Sequence, residues 1–258
     1  MIAPADAVRL VCVARRGPAI ARRGPRPHIE GAPVPMTYHH RLDVLRAILD
    51  DGAVPTFVAP DPETAFAFVA GCRDGGARVV EFTNRGEFAY ATFADLARRV
   101  SRELPDVILG AGTIIDAPTA ALFIAAGASF IVGQSLSADV ARLCNRRRIA
   151  YIPGAGSATE IAEAEELGCE IVKLFPAAAF DGPAFVRNFL APSPASRIMP
   201  TNVLATEEAT RAWFGAGAAC VGVGGHLYPA ESVRGGDRAV VAERTRTFLG
   251  WVRAARGA

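Results

Sequence analysis

The chain has 258 residues, a hydrophobic share of 51% and a formal net charge of +2. That balance gives no general case for nucleic acid or an anionic membrane surface as a partner, and no apolar run reaches the roughly 18 residues a membrane span needs. The length and apolar content suit one large core, and α/β barrels reach this size as a single domain.

Residues 1–35 hold six arginines and six prolines against Asp6 and Glu30, with no sustained periodicity. Their Arg-rich, acid-poor composition partly fits a transit peptide, but a signal peptide's apolar core and cleavage site are missing. A disordered extension is expected, with Met36 opening a single folded domain over 36–258. A first helix over 41–49 is placed to close the bottom of that domain.

Strand signals follow at 53–58, 77–84, 107–113, 129–132, 149–153, 170–176, 197–201 and 219–223. Amphipathic stretches at 62–73, 88–100, 119–126, 138–146, 158–167, 183–190, 207–214 and 238–253 alternate with them. Turn residues such as Asp74-Gly75-Gly76 and Asp181-Gly182 punctuate the series. Repeated strand-plus-helix units predict a (β/α)₈ barrel with an N-terminal closing helix. A doubly wound open sheet would want a Gly-rich turn after the first strand, and Val58-Ala59-Pro60-Asp61 is not one.

Lys173 is the one lysine among 28 basic residues. It sits in the apolar run Ile171-Val172-Lys173-Leu174-Phe175. A guanidinium stays protonated, so an amine that must attack a carbonyl cannot be replaced by arginine. Chance survival in an Arg-rich chain is the competing explanation. Side chains alternate along a strand, so Lys173 shares its face with Ile171 and Phe175. By the same parity Glu81, Thr83 and Arg85 share one face, while Val80 and Phe82 point to the helices. Glu81 in an apolar run needs a partner, as a structural ion pair with Lys173 or Arg85 or as a working acid–base group. Arg85 offers a fork for a substrate carboxylate. Leu109-Gly110-Ala111-Gly112-Thr113 and Val223-Gly224-Gly225-His226 end their strands with small residues that let backbone approach a ligand. Five cysteines without CxxC favour a reducing cytoplasm, and four histidines without metal-ligand spacing argue against zinc.

The ordered segments Glu81-Phe82-Thr83-Asn84-Arg85-Gly86, Gly110-Ala111-Gly112-Thr113, Ile152-Pro153-Gly154, Lys173-Leu174-Phe175-Pro176 and Met199-Pro200-Thr201 resemble the bacterial 2-keto-3-deoxy-6-phosphogluconate (KDPG) aldolase / 4-hydroxy-2-oxoglutarate (KHG) aldolase family, over about residues 40–230. The resemblance implies a homotrimeric class I aldolase that needs no metal or other cofactor and releases pyruvate from a 2-keto acid. It makes Lys173 the Schiff-base lysine, Glu81 the general acid–base and Arg85 with Thr113 the carboxylate holders, with Phe175 beside the imine. It places Thr201, Asn202, Gly224, Gly225 and His226 around the far end of the substrate. The chain departs from the pattern in four places. Gly133-Gln134 stands for Ser-Pro, and Asn202-Val203 for two phosphate-loop glycines. His226 follows Gly224-Gly225, and Ala59 stands where arginine is common. These changes leave open an unphosphorylated keto acid as substrate, or a sugar-acid-binding relative without turnover.

Overall fold

A computed structural model describes residues 39–179 and 181–257; the expectations for residues 1–35 lie outside them. Helix α1 (Arg41–Asp51) leads into β1 (Ala53–Phe57), α2 (Pro62–Asp74), β2 (Val79–Thr83), α3 (Ala89–Glu103) and β3 (Ile108–Gly112). There follow α4 (Ala117–Ala125), β4 (Phe130–Val132), α5 (Ala138–Arg147), β5 (Ala150–Ile152), β6 (Gly154–Ala155) and α6 (Ala158–Glu166). The chain continues through β7 (Val172–Leu174), α7 (Pro183–Leu190), β8 (Ile198–Pro200), α8 (Glu207–Gly215), β9 (Val221–Val223), α9 (Ala230–Arg234) and α10 (Arg238–Arg256).

Local chemistry starts many of these helices. Asp61, Asp116, Ser137, Ser157, Thr206 and Asp237 each accept a hydrogen bond from a backbone N–H three residues on. Each such cap contributes about 1 kcal/mol by satisfying an orphan donor of the first turn. Proline at the start of α2 and α4 loses no helical hydrogen bond there.

The strand pairings are parallel, in the order β5-β4-β3-β2-β1-β9, with β6-β7-β8 as a second run. The first strand therefore pairs with the last, which a doubly wound sheet does not do. This is an α/β fold with a curled parallel sheet. The predicted fifth strand is divided at Pro153, which has no N–H for a ladder. Its carbonyl accepts from Lys173 N–H at 2.8 Å, so the chain changes neighbours there.

The alternation of side chains separates two apolar clusters. Ala53, Val80, Leu109, Ile131, Val172 and Val221 pack outward under the helices. Val54, Val79, Ile108, Phe130, Ile171 and Cys220 point the other way and form a second cluster with Val44, Leu45 and Ile48 of α1. Helix α1 thus plugs the N-terminal end of the strands, as expected. Arg41 fastens it from the side through Glu170 at 2.7 Å and Asn145 at 2.6 Å. Among the described residues, no helix is long and apolar enough to cross a membrane.

Candidate active site

Two residues further along the same inward faces, the character changes from apolar to polar. Val54 is followed by Thr56, Val79 by Glu81 and Ile171 by Lys173. These polar positions line a cavity of about 970 Å³ at the C-terminal ends of the strands. Register explains the meeting: Glu81 lies opposite Thr56 on β1 and Gly110 on β3, while Lys173 lies between Gly154 and Met199.

Glu81 and Lys173 are both buried, at 3% and 7% exposure. Burial raises the Glu81 pKa, against the opposing pull of the Lys173 and Arg85 charges. Burial also lowers the Lys173 pKa; Glu81 works against this and Arg85 adds to it. Both shifts run toward the uncharged forms, while the charge of each group, when present, favours that of the other. Glu81 Oε2 has no hydrogen-bond partner. Among the described residues Glu81 enters no salt bridge with Lys173 or Arg85. A buried carboxyl oxygen held without a partner is costly unless a substrate or water uses it.

Gly112 supplies the room. A Cβ there would overlap the Glu81 carboxylate. The glycine at the end of β3 therefore admits a neighbouring side chain, rather than serving only the approach of a ligand that its sequence context suggested. Gly224 does likewise for Thr56, whose hydroxyl would lie 2.6 Å from an added Cβ.

Arg85, Thr113, Phe175, Thr201, Asn202, Gly224 and Gly225 all border this cavity. Lys173 Nζ lies 4.7 Å from the centre of the Phe175 ring. Thr113 and Asn202 have φ of 60° and 64°, in the left-handed region. Asparagine is among the few non-glycine residues that tolerate this conformation. Asn202 therefore keeps a glycine-like backbone where the resemblance expects glycine, and adds an amide side chain. His226 is not brought into the site. It is exposed, while the neighbouring Leu227 and Tyr228 turn inward and are buried. The cavity also recruits Gln134, Tyr228 and Arg234. Gln134 was marked only as a departure, and nothing in the periodicity pointed to the other two.

The model of the family described as KDPG and KHG aldolase matches residues 47–243. The chain belongs to this family. It is an aldolase, a carbon–carbon lyase, and the Schiff-base mechanism is general for such enzymes. The 2-dehydro-3-deoxy-phosphogluconate aldolase of Treponema pallidum is 32% identical over 81% of this chain and 97% of its own length. The KHG/KDPG aldolase of Escherichia coli K12 is 29% identical over 74% of this chain and 88% of its own. Among solved structures, the KDPG aldolase of Legionella pneumophila, with pyruvate captured as a covalent carbinolamine, aligns with a TM-score of 0.71. It is 25% identical, over 80% of this chain and 96% of that one. Among the described residues no group of three or more His, Cys, Asp or Glu side chains is arranged to hold a metal ion.

Proposed function

We propose that this aldolase cleaves a 2-keto-3-deoxy sugar acid or its 6-phosphate to pyruvate and an aldehyde, through an imine on Lys173. The observation that carries the reading is the pairing, at one cavity, of a buried lysine whose pKa is lowered with a buried, unpartnered glutamate whose pKa is raised.

The free amine of Lys173 attacks the C2 carbonyl of the keto acid to give a carbinolamine. Glu81 in its acid form gives its proton to the departing hydroxyl, which leaves as water. The resulting iminium is the electron sink and faces a Glu81 carboxylate. That carboxylate takes the C4 hydroxyl proton, the C3–C4 bond breaks, and its electron pair moves into a pyruvate enamine while the aldehyde departs. Glu81 returns the proton to C3, and water hydrolyses the imine to release pyruvate. Arg85 and Thr113 hold the substrate carboxylate and fix its register, with Phe175 against the imine. Thr201, Asn202, Gly224 and Gly225 border the far end of the substrate.

The reading includes an eight-stranded closed barrel over 36–258. It is supported by the single-residue gap at Pro153 and by a parallel bridge from Thr201 to Gly222 that adjoins β8 to β9. It also includes a homotrimer and a reducing cytoplasm, the latter supported by the buried free thiols of Cys72, Cys144, Cys169 and Cys220. No metal is assigned a role.

Borohydride added to enzyme and pyruvate should fix one pyruvate on Lys173, the sole side-chain amine in the sequence. Lys173→Arg should fix none. An unmodified Lys173 in wild type that turns over substrate under the same conditions would refute the imine.

A further inference from the structure

Resting on that reading, we propose that Arg234 holds the charged far end of the substrate and sets the preference of this enzyme for anion-ended over hydroxyl-ended keto acids.

The cavity is bordered by three cationic side chains, Arg85, Lys173 and Arg234. Their neighbourhoods differ. Arg85 acts electrostatically on both Glu81 and Lys173, whereas Arg234 figures in neither shift. One arginine therefore serves the reacting end, and the other stands away from it. Arg234 closes α9, which follows the Gly224-Gly225 turn after β9. It shares its part of the cavity rim with Tyr228, Ala230 and Val233.

The contrast with Arg238 shows which arginine is already committed. Arg238 is locked to Asp74 at 2.5 Å and ties α10 to α2. Arg234, four residues earlier on α9, enters none of the salt bridges among the described residues.

The segment that carries Arg234 is fixed from below. Tyr228 is buried and its hydroxyl lies 2.9 Å from Thr245 Oγ1 on α10, which in turn donates to Val241 O at 2.8 Å. Gly235 N–H donates to Glu231 O at 2.8 Å and closes the helix behind Arg234. A guanidinium on a fixed backbone at the rim can present its planar fork to a terminal phosphate or carboxylate. The end of β1, the strand paired with β9, offers Ala59 and Pro60, which carry no charge. Arg234, on the segment after β9, thus supplies a cation where the end of β1 has none.

The test compares full-length wild type, Arg234→Gln and Arg234→Lys in aldol cleavage of three substrates. These are KDPG (terminal phosphate), KHG (terminal carboxylate) and unphosphorylated 2-keto-3-deoxygluconate (terminal hydroxyl). In R234Q the ratio of kcat/KM for an anion-ended substrate to that for the hydroxyl-ended one should fall by about 10- to 100-fold, mainly through KM. R234K should recover part of it, since charge without the fork is retained. Whichever of the phosphate and carboxylate arms falls identifies the anion. An unchanged ratio, or an equal loss on all three substrates, overturns the inference. Pyruvate trapping by borohydride is run on each protein. No trapping in wild type breaks the imine reading and this inference with it, whereas trapping with an unchanged ratio breaks this inference alone.

Discussion

The two ends of the strands use the same inward faces for opposite purposes. At the N-terminal end Val54, Val79, Ile108, Phe130, Ile171 and Cys220 close around α1 into an apolar plug. Two residues on, Thr56, Glu81 and Lys173 border an open cavity. The plug gains stability from burial and has no chemistry. The mouth holds two buried ionisable groups, one with an unsatisfied oxygen, and so gives up stability for chemistry. A step of one strand repeat separates what holds the fold from what uses it.

Substitutions at the two ends should therefore have opposite signatures. The largest effect is expected for Lys173→Met. Turnover should fall by at least about a thousandfold, while urea unfolding shows a gain of roughly 1 kcal/mol as an apolar chain replaces a buried amine. A loss of stability on that scale would count against the division. Next is Gly112→Ala. Its Cβ would displace the Glu81 carboxylate, so kcat should drop by about 100-fold, with a thermal midpoint several degrees lower.

At the plug the pattern should invert. Ile171→Ala should cost about 2–4 kcal/mol in denaturant unfolding and leave kcat per folded molecule within about threefold, because Ile171 has no place at the cavity. A large loss of kcat at full folding would show that the ends are coupled. The finest test is the pH at which pyruvate trapping sets in. The Glu81 charge raises the Lys173 pKa and the Arg85 charge lowers it. Glu81→Gln should therefore move the acid limb to lower pH, and Arg85→Ala should move it to higher pH. Stopped assays across the acid range measure both, and a common direction would contradict the charge arrangement.

Strand parity made much of this legible before any coordinates. A period of two is enough to set Glu81 with Thr83 and Lys173 with Ile171, and the apolar clusters divide along that parity. The family motifs fall at the cavity-facing ends of β2, β3, β7 and β8. What stayed hidden had short-range or purely spatial causes. Helix α9 is five residues long and too brief to show a period, so Arg234 looked like any other surface arginine. The steric need for Gly112 depends on a side chain 31 positions away in another strand, which no local pattern reports. His226 was read as a neighbour of the far end because it follows Gly224-Gly225. The turn there sends Leu227 and Tyr228 inward and leaves the imidazole outside.

Lys173 is 7% exposed, and every other basic side chain of the 28 is arginine. The protein thus presents guanidinium groups to solvent and keeps its one ε-amine in the cavity at the strand ends. Reagents that acylate lysines will find no side chain on the outer surface to couple. Bis-ester crosslinkers aimed at neighbouring copies will be nearly silent whatever the assembly, and attachment to an amine-reactive support will proceed through the α-amino group. Any acylation that does reach a side-chain amine falls on Lys173, and on the proposed mechanism it is read as lost activity.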